Sequence, residues 1–277
     1  MKIGLALGGG GARGLAHIAV LEAFDELGLK PAIVSGTSIG ALVGAAYASG
    51  LSGNDIREYC GTLLARRSAI FRHIYYRWQG RIWDYFNPRT PSLFNAERII
   101  GLVMPPEMPE TFEELRIPLM TVATDFYTQC EYVSTEGSLL PAIAASAALP
   151  ALLTAVKLDG RVLIDGGFVN PLPFDLLREK SDFIVAVDVS GQVAESKSGS
   201  PGTVEAVIGA QLIALRSIIN EKLKVSGPDL LLRPNVGHYG VMDFLRKDEI
   251  LEAAAPIKLE IKRALEAIDS KTKLPSY

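Results

Sequence analysis

The segment Gly36-Thr37-Ser38-Ile39-Gly40 has the form G-x-S-x-G. A serine flanked in this way can sit on a sharp, strained turn from strand to helix, with its hydroxyl exposed as a nucleophile. The same letters also describe an ordinary tight Gly/Ser turn. Two further clusters carry chemical potential. Gly8-Gly9-Gly10-Gly11-Ala12-Arg13-Gly14 allows close approach of the backbone to a ligand, and the helix behind it offers unpaired N–H groups and a partial positive charge. Such a loop can hold a phosphate or stabilise an oxyanion. Asp165-Gly166-Gly167 offers a carboxylate, although Asp-Gly is also a common turn dipeptide.

The phosphate readings are weakened by neighbouring residues. A P-loop needs Lys-Ser or Lys-Thr after its last glycine, and Gly14 is followed by Leu15-Ala16. A dinucleotide fold needs an acid at the end of the second strand, where this chain has Ile33-Val34-Ser35-Gly36. A serine nucleophile needs a base, usually histidine. The chain has three. His17 follows the glycine loop at helical spacing and reads as a packed or capping side chain. His73 lies in an aromatic, arginine-rich segment, and His238 in the loop-like run Pro234-Asn235-Val236-Gly237-His238. The order Ser38, Asp165, His238 fits the Ser–acid–His order of α/β-hydrolase triads, so a triad stays open on order alone. Acids and histidines do not cluster at metal-ligand spacing, no metal site is expected, and Asp125 reads as structural.

The elements that would position these groups alternate in type. Strands are expected at 3–7, 32–34, 119–125, 131–134, 183–189 and 230–232. A hairpin through Asp159-Gly160 has a second arm, 162–164, that leads into Asp165. Helical spacing covers 13–27, the small-residue run from Ala41 to near Gly50, 203–224 and 248–269. This alternation predicts a three-layer α/β/α fold with a mostly parallel central sheet. Residues 1–277 read as one domain, with a surface loop at 191–202.

With 48% apolar residues the chain can bury a core, and a net charge of −3 spread along it gives no footprint for nucleic acid. Cys60 and Cys130 form no disulfide framework and suit a reducing compartment. No run reaches the ~18 apolar residues of a membrane span, and the first strand is too short for a signal segment, so a cytoplasmic protein is expected. Residues 66–89 hold six arginines, one acid and both tryptophans. Such a mixture suits either a helical cap packed through its aromatic face or a lid that touches lipid.

Taken together and in order, G-G-G-x-R-G, G-x-S-x-G and D-G-G resemble the patatin-like phospholipase family. Val122-Ala123-Thr124-Asp125 and Ala145-Ser146-Ala147-Ala148-Leu149-Pro150 are similar to further family elements, and the resemblance covers about residues 1–190. It implies a serine acyl hydrolase acting on lipid esters through a Ser–Asp dyad. Ser38 would be the nucleophile and Asp165 the base, with oxyanion N–H groups from Gly9, Gly10 and Gly11. Gly14, Gly36, Gly40, Gly166 and Gly167 would complete the motifs. The resemblance further implies a lipid or acyl-ester substrate and no need for calcium; no cofactor is expected, and the lid reading of residues 66–89 would bring peripheral membrane contact. Many members begin the loop with Asp where this chain has Gly8, a departure frequent in the bacterial branch. A thioesterase or small-ester esterase on the same dyad, or a non-catalytic regulatory protein that keeps the fold, are the alternatives.

Overall fold

A computed structural model of the protein describes residues 1–66, 94–150, 152–191 and 203–272. The segment 66–89 lies outside them beyond Arg66, as does the loop 191–202 beyond Gly191. The central strands are continuous apolar runs because both of their faces are covered. In β1, Ile3–Leu7, all five residues are buried. Its residues alternate between two cores: Leu5 and Leu7 join a large cluster on one face, and Ala6 a smaller one on the other. The strand Phe183–Val187 divides in the same way, with Val185 and Val187 on the first face and Ile184 and Ala186 on the second.

The other strands are β2 Ile33–Thr37, β3 Leu119–Asp125, β4 Cys130–Ser134, β5 Val156–Leu158, β6 Arg161–Asp165, β7 Phe183–Val187 and β8 Leu230–Leu232. They form one mixed sheet with the order β5-β6-β3-β2-β1-β7-β8, and β4 pairs with β3 off this path. The parallel pairs are β1–β2, β1–β7, β2–β3 and β7–β8. The antiparallel pairs gather around β3 and the β5–β6 hairpin. In that hairpin Asp159 and Gly160 both have positive φ, 49° and 73°, the geometry that a two-residue turn needs to match strand twist.

One detail of register decides where the site forms. β4 pairs with β3 from Thr121 to Asp125 and so occupies one edge of that strand. β2 pairs with β3 from Leu119 to Val122, and β6 pairs with β3 from Ala123, opposite Asp165, to Asp125, opposite Leu163. Both overlap β4, so β2 and β6 must share the opposite edge. Thr37 stands opposite Val122, and Asp165 stands opposite Ala123, the next residue. The end of β2 and the end of β6 therefore meet.

The described helices are α1 His17–Glu26, α2 Ile39–Ala48, α3 Gly53–Arg66, α4 Ala96–Val103, α5 Leu139–Ser146, α6 Thr203–Val225, α7 Lys247–Ala254 and α8 Ile257–Thr272. Helices α1 and α2 pack into the larger core, and Ile219 of α6 into the smaller one. Glu22 of α1 accepts from Arg57 Nη2 of α3 at 2.8 Å and from Lys258 Nζ of α8 at 3.1 Å, joining three helices.

Two sequence expectations need correction. Residues 13–27 are not one helix, because Gly11–Ala16 is a 3-10 turn and α1 starts at His17. Gly11 takes φ 59°, outside the right-handed α region, so an α turn cannot begin there. Residues 248–269 are two helices, broken where Pro256, which has no N–H to donate, precedes α8.

Because β6 joins β3 through only three register pairs, its seat depends on packing. Leu163, fully buried, is central to it. Leu163→Ala is expected to cost about 2–5 kcal/mol of stability, read as a lower urea midpoint at an unchanged slope.

Candidate active site

The chain turns from β2 into α2 at Ser38, whose backbone has φ 56° and ψ −122°. A non-glycine residue there is strained, and its surroundings hold it in place. The Ser38 N–H donates to Ser146 Oγ at 2.9 Å, and Ser146 at the end of α5 is fully buried. Thr37 Oγ1 donates to the Asn170 carbonyl at 2.7 Å, tying the end of β2 to the turn after Asp165. Gly40 has no alternative: a Cβ there would lie 2.1 Å from the Leu7 carbonyl oxygen. Added carbons at Gly14, Gly36 and Gly166 would likewise stand 2.3, 2.5 and 2.2 Å from neighbouring atoms.

Across the junction, Ser38 Oγ donates to Asp165 Oδ2 at 2.7 Å. The other carboxylate oxygen, Oδ1, accepts from the Gly167 N–H at 2.8 Å. The Asp165 backbone is fixed as well, its N–H donating to the Ala148 carbonyl at 3.0 Å and its carbonyl accepting from Thr124 Oγ1 at 2.8 Å. Asp165 is only 6% exposed. Burial raises its pKa from the ordinary 3.8 to about 6, against the lowering effect of the Ser38 and Gly167 hydrogen bonds.

The glycine loop lies beside Ser38, since a Cβ on Gly9 would come 3.4 Å from the serine Cβ. Its N–H groups are not equivalent. The Gly9 N–H donates to the Pro171 carbonyl at 2.9 Å and is not free for a ligand, which corrects the expectation that Gly9 supplies an oxyanion donor. The N–H groups of Gly10 and Gly11 have no acceptor among the described residues. Gly11 reaches its place with φ +59°, and a Cβ there would sit 2.3 Å from the Val241 carbonyl. Carbonyls of the loop are anchored from behind. Arg13, almost fully buried, donates from Nε to the Gly10 carbonyl at 3.2 Å. His17 makes a 2.8 Å bond to the Gly8 carbonyl, which must accept, so the proton is on Nε2.

His17 is thus committed to the loop backbone. Burial lowers its pKa to about 4, so it is neutral at physiological pH. His238 packs its ring on Tyr239 at 4.1 Å, and His73 lies outside the described residues. Neither described histidine bonds Ser38 or Asp165. Asp125 binds Arg161 Nη1 at 2.7 Å and caps the β3–β4 turn, a structural use. Sequence reasoning did not assign Ser146, Thr124 or Asn170. Ser146 and Thr124 lie inside motifs already noted, but their bonds to the Ser38 N–H and the Asp165 carbonyl, like that of Thr37 to the Asn170 carbonyl, join segments distant in sequence.

Ser38, Asp165, Gly10 and Gly11 open onto an apolar cavity of about 250 Å3. One wall is a stripe of α3 at helical spacing, Ile56, Tyr59, Cys60 and Leu63, and α2 faces it with Leu42 and Ala46. Burial pushes the Cys60 thiol up to about 11, so it stays protonated and packs as a small apolar group. The arrangement offers a hydroxyl aligned on a dry carboxylate, two N–H donors beside it and an apolar channel leading away. Those parts suit attack on a carbonyl attached to a hydrocarbon chain.

Comparison with known proteins gives the family of the chain. A sequence model of the family described as patatin-like phospholipase matches residues 5–178. The neuropathy target esterase sws of Drosophila melanogaster is 34% identical over 194 residues, covering 69% of this chain and 13% of that protein. An uncharacterized NTE family protein of Mycobacterium tuberculosis is also 34% identical, covering 70% of this chain and 50% of its own length. Human patatin-like phospholipase domain-containing protein 6 is 32% identical, covering 69% of the chain and 13% of that protein. The chain therefore spans half or less of the length of these relatives. The crystal structure of VipD from Legionella pneumophila shares the fold, with a TM-score of 0.51 at 12% identity, over 95% of this chain and 66% of VipD. The chain belongs to the patatin-like phospholipase family, a family of carboxylic ester hydrolases.

Proposed function

We propose that the protein is a serine acyl hydrolase that cleaves carboxylic esters of lipids through Ser38 and Asp165. The observation that carries this reading is the 2.7 Å bond from Ser38 Oγ to Asp165 Oδ2 at the mouth of an apolar cavity. Asp165 takes the serine proton as Oγ attacks the ester carbonyl. The developing oxyanion is met by the Gly10 and Gly11 N–H groups, each worth on the order of 3–4 kcal/mol in such a role. Asp165 then returns the proton to the leaving alkoxide. An acyl-enzyme on Ser38 remains, and a water activated by Asp165 hydrolyses it. The acyl chain lies along the cavity, so a lipid is favoured over a polar ester. Among the described residues no helix is long and apolar enough to cross a membrane.

A carboxylate with the ordinary pKa of 3.8 is a weak base for a serine hydroxyl. Its rise to about 6 brings it nearer the working pH while leaving it ionised at neutrality. That rise has a thermodynamic cost. Between 3.8 and 6 the folded protein binds a proton more tightly than the unfolded chain, so stability falls as pH rises through that window. The full cost, of order 3 kcal/mol, is present above it and absent below it. An asparagine would keep both hydrogen bonds, accepting from Gly167 and donating to Ser38, without a charge to bury.

Purified wild type is expected to hydrolyse monoacyl and diacyl phospholipids and p-nitrophenyl esters, with kcat/KM falling as pH drops through about 6. Ser38→Ala and Asp165→Asn should each lose on the order of 10³-fold or more in activity, while His238→Ala stays within a few fold. Retained hydrolysis in either dyad variant overturns the assignment. Asp165→Asn should also be more stable than wild type to urea at pH 8, by up to about 3 kcal/mol, with the gain gone near pH 4. A difference that does not vary with pH would show that Asp165 is not held in a dry site.

A further inference from the structure

A second hollow, of about 720 Å3, lies against the cavity that begins at Ser38. Its lining includes Leu102, Met104, Met108 and Leu140. Tyr59, Leu63 and Pro105 line both spaces and so form the partition between them. Tyr59 is pinned across the seam between α3 and α4, its hydroxyl donating to the Met104 carbonyl at 2.8 Å. Met104 directly follows α4, so this bond joins the helix that carries the partition to the segment that walls the hollow. Gly101, on α4, faces the hollow with room to spare. A Cβ there would meet only the Leu140 methyls, at 3.7 and 3.8 Å.

We propose that Tyr59 is an acyl-length stop. It fixes the longest chain that the cavity accepts, and the hollow behind it takes the tail of a longer chain once the ring is withdrawn. This specificity role rests on the reading of Ser38 as the acyl-accepting nucleophile. A chain that outgrows the cavity must displace a hydrogen-bonded ring or leave its last methylenes unburied. Each methylene that a hydrophobic pocket receives or refuses changes kcat/KM by ~10-fold or more. Tyr59 makes no hydrogen bond to Ser38 or Asp165.

The test compares p-nitrophenyl butanoate, octanoate, dodecanoate and hexadecanoate in one fixed detergent. The enzymes are wild type, Tyr59→Phe, Tyr59→Ala and the double variant Tyr59→Ala with Gly101→Phe. Tyr59→Phe keeps the ring and should keep the wild-type length profile. Tyr59→Ala should raise the hexadecanoate-to-octanoate ratio of kcat/KM by ~10-fold or more, and Gly101→Phe should remove that gain by obstructing the hollow. Tyr59→Leu replaces Tyr59→Ala if the larger truncation unfolds. A uniform change at all lengths, or a gain that survives Gly101→Phe, overturns the proposal.

A second readout needs no turnover: calorimetric binding of octanoate and hexadecanoate to Ser38→Ala, with and without Tyr59→Ala. If binding shows the length shift but wild type hydrolyses no ester, the stop stands and the Ser38 reading falls. If hydrolysis depends on Ser38 and neither readout shifts with length, the stop falls and the Ser38 reading stands.

Discussion

The hydrogen bond between Ser38 and Asp165 exists because two strands with no pairing to each other share one edge of β3. β2 covers the first half of that edge and β6 the second, and the register places Thr37 and Asp165 opposite consecutive residues of β3. Everything else in the site hangs on this junction. The elbow at Ser38 begins where β2 stops, the Asp-Gly-Gly turn begins where β6 stops, and the glycine loop follows β1 on the neighbouring strand. A slip of one residue in β6 would turn Asp165 to the other face of the sheet.

The molecule accepts local costs at this point and offsets them around it. Ser38 stays in a left-handed conformation because Ser146, Thr37 and the contact of Gly40 with Leu7 leave it no other. Asp165 is kept in a dry place where its charge is disfavoured. The Gly10 and Gly8 carbonyls of the loop are bonded by Arg13 and His17, while the Gly10 and Gly11 N–H groups have no acceptor among the described residues. The cores on both faces of the sheet supply the rigidity that makes such strain tolerable.

Much of this was legible in the residues. β3 and β8 match their expected spans because each is an apolar run bounded by clear breaks. The elbow was legible because its glycines are required by contact. Asp165 looked ambiguous for a physical reason: it serves two purposes at once. Oδ1 closes the turn onto Gly167, and Oδ2 faces Ser38. The spent N–H of Gly9 could not be read, since its acceptor, Pro171, is distant in sequence. Helices α3, α4 and α5 were not foreseen. The stripe of α3, Ile56, Tyr59, Cys60 and Leu63, faces a cavity, and its mixture of residue types blurs the apolar pattern.

In the proposed mechanism Ser38 is activated by a buried carboxylate and not by a histidine. The most direct measurement is the rate and site of reaction with a fluorophosphonate, followed by peptide mapping of the adduct from pH 4 to 9. A single adduct is expected on Ser38, formed at a rate that rises through about pH 6 and collapses in Asp165→Asn. An adduct on another residue, or labelling of Ser38 that is unaffected by Asp165→Asn, would contradict it.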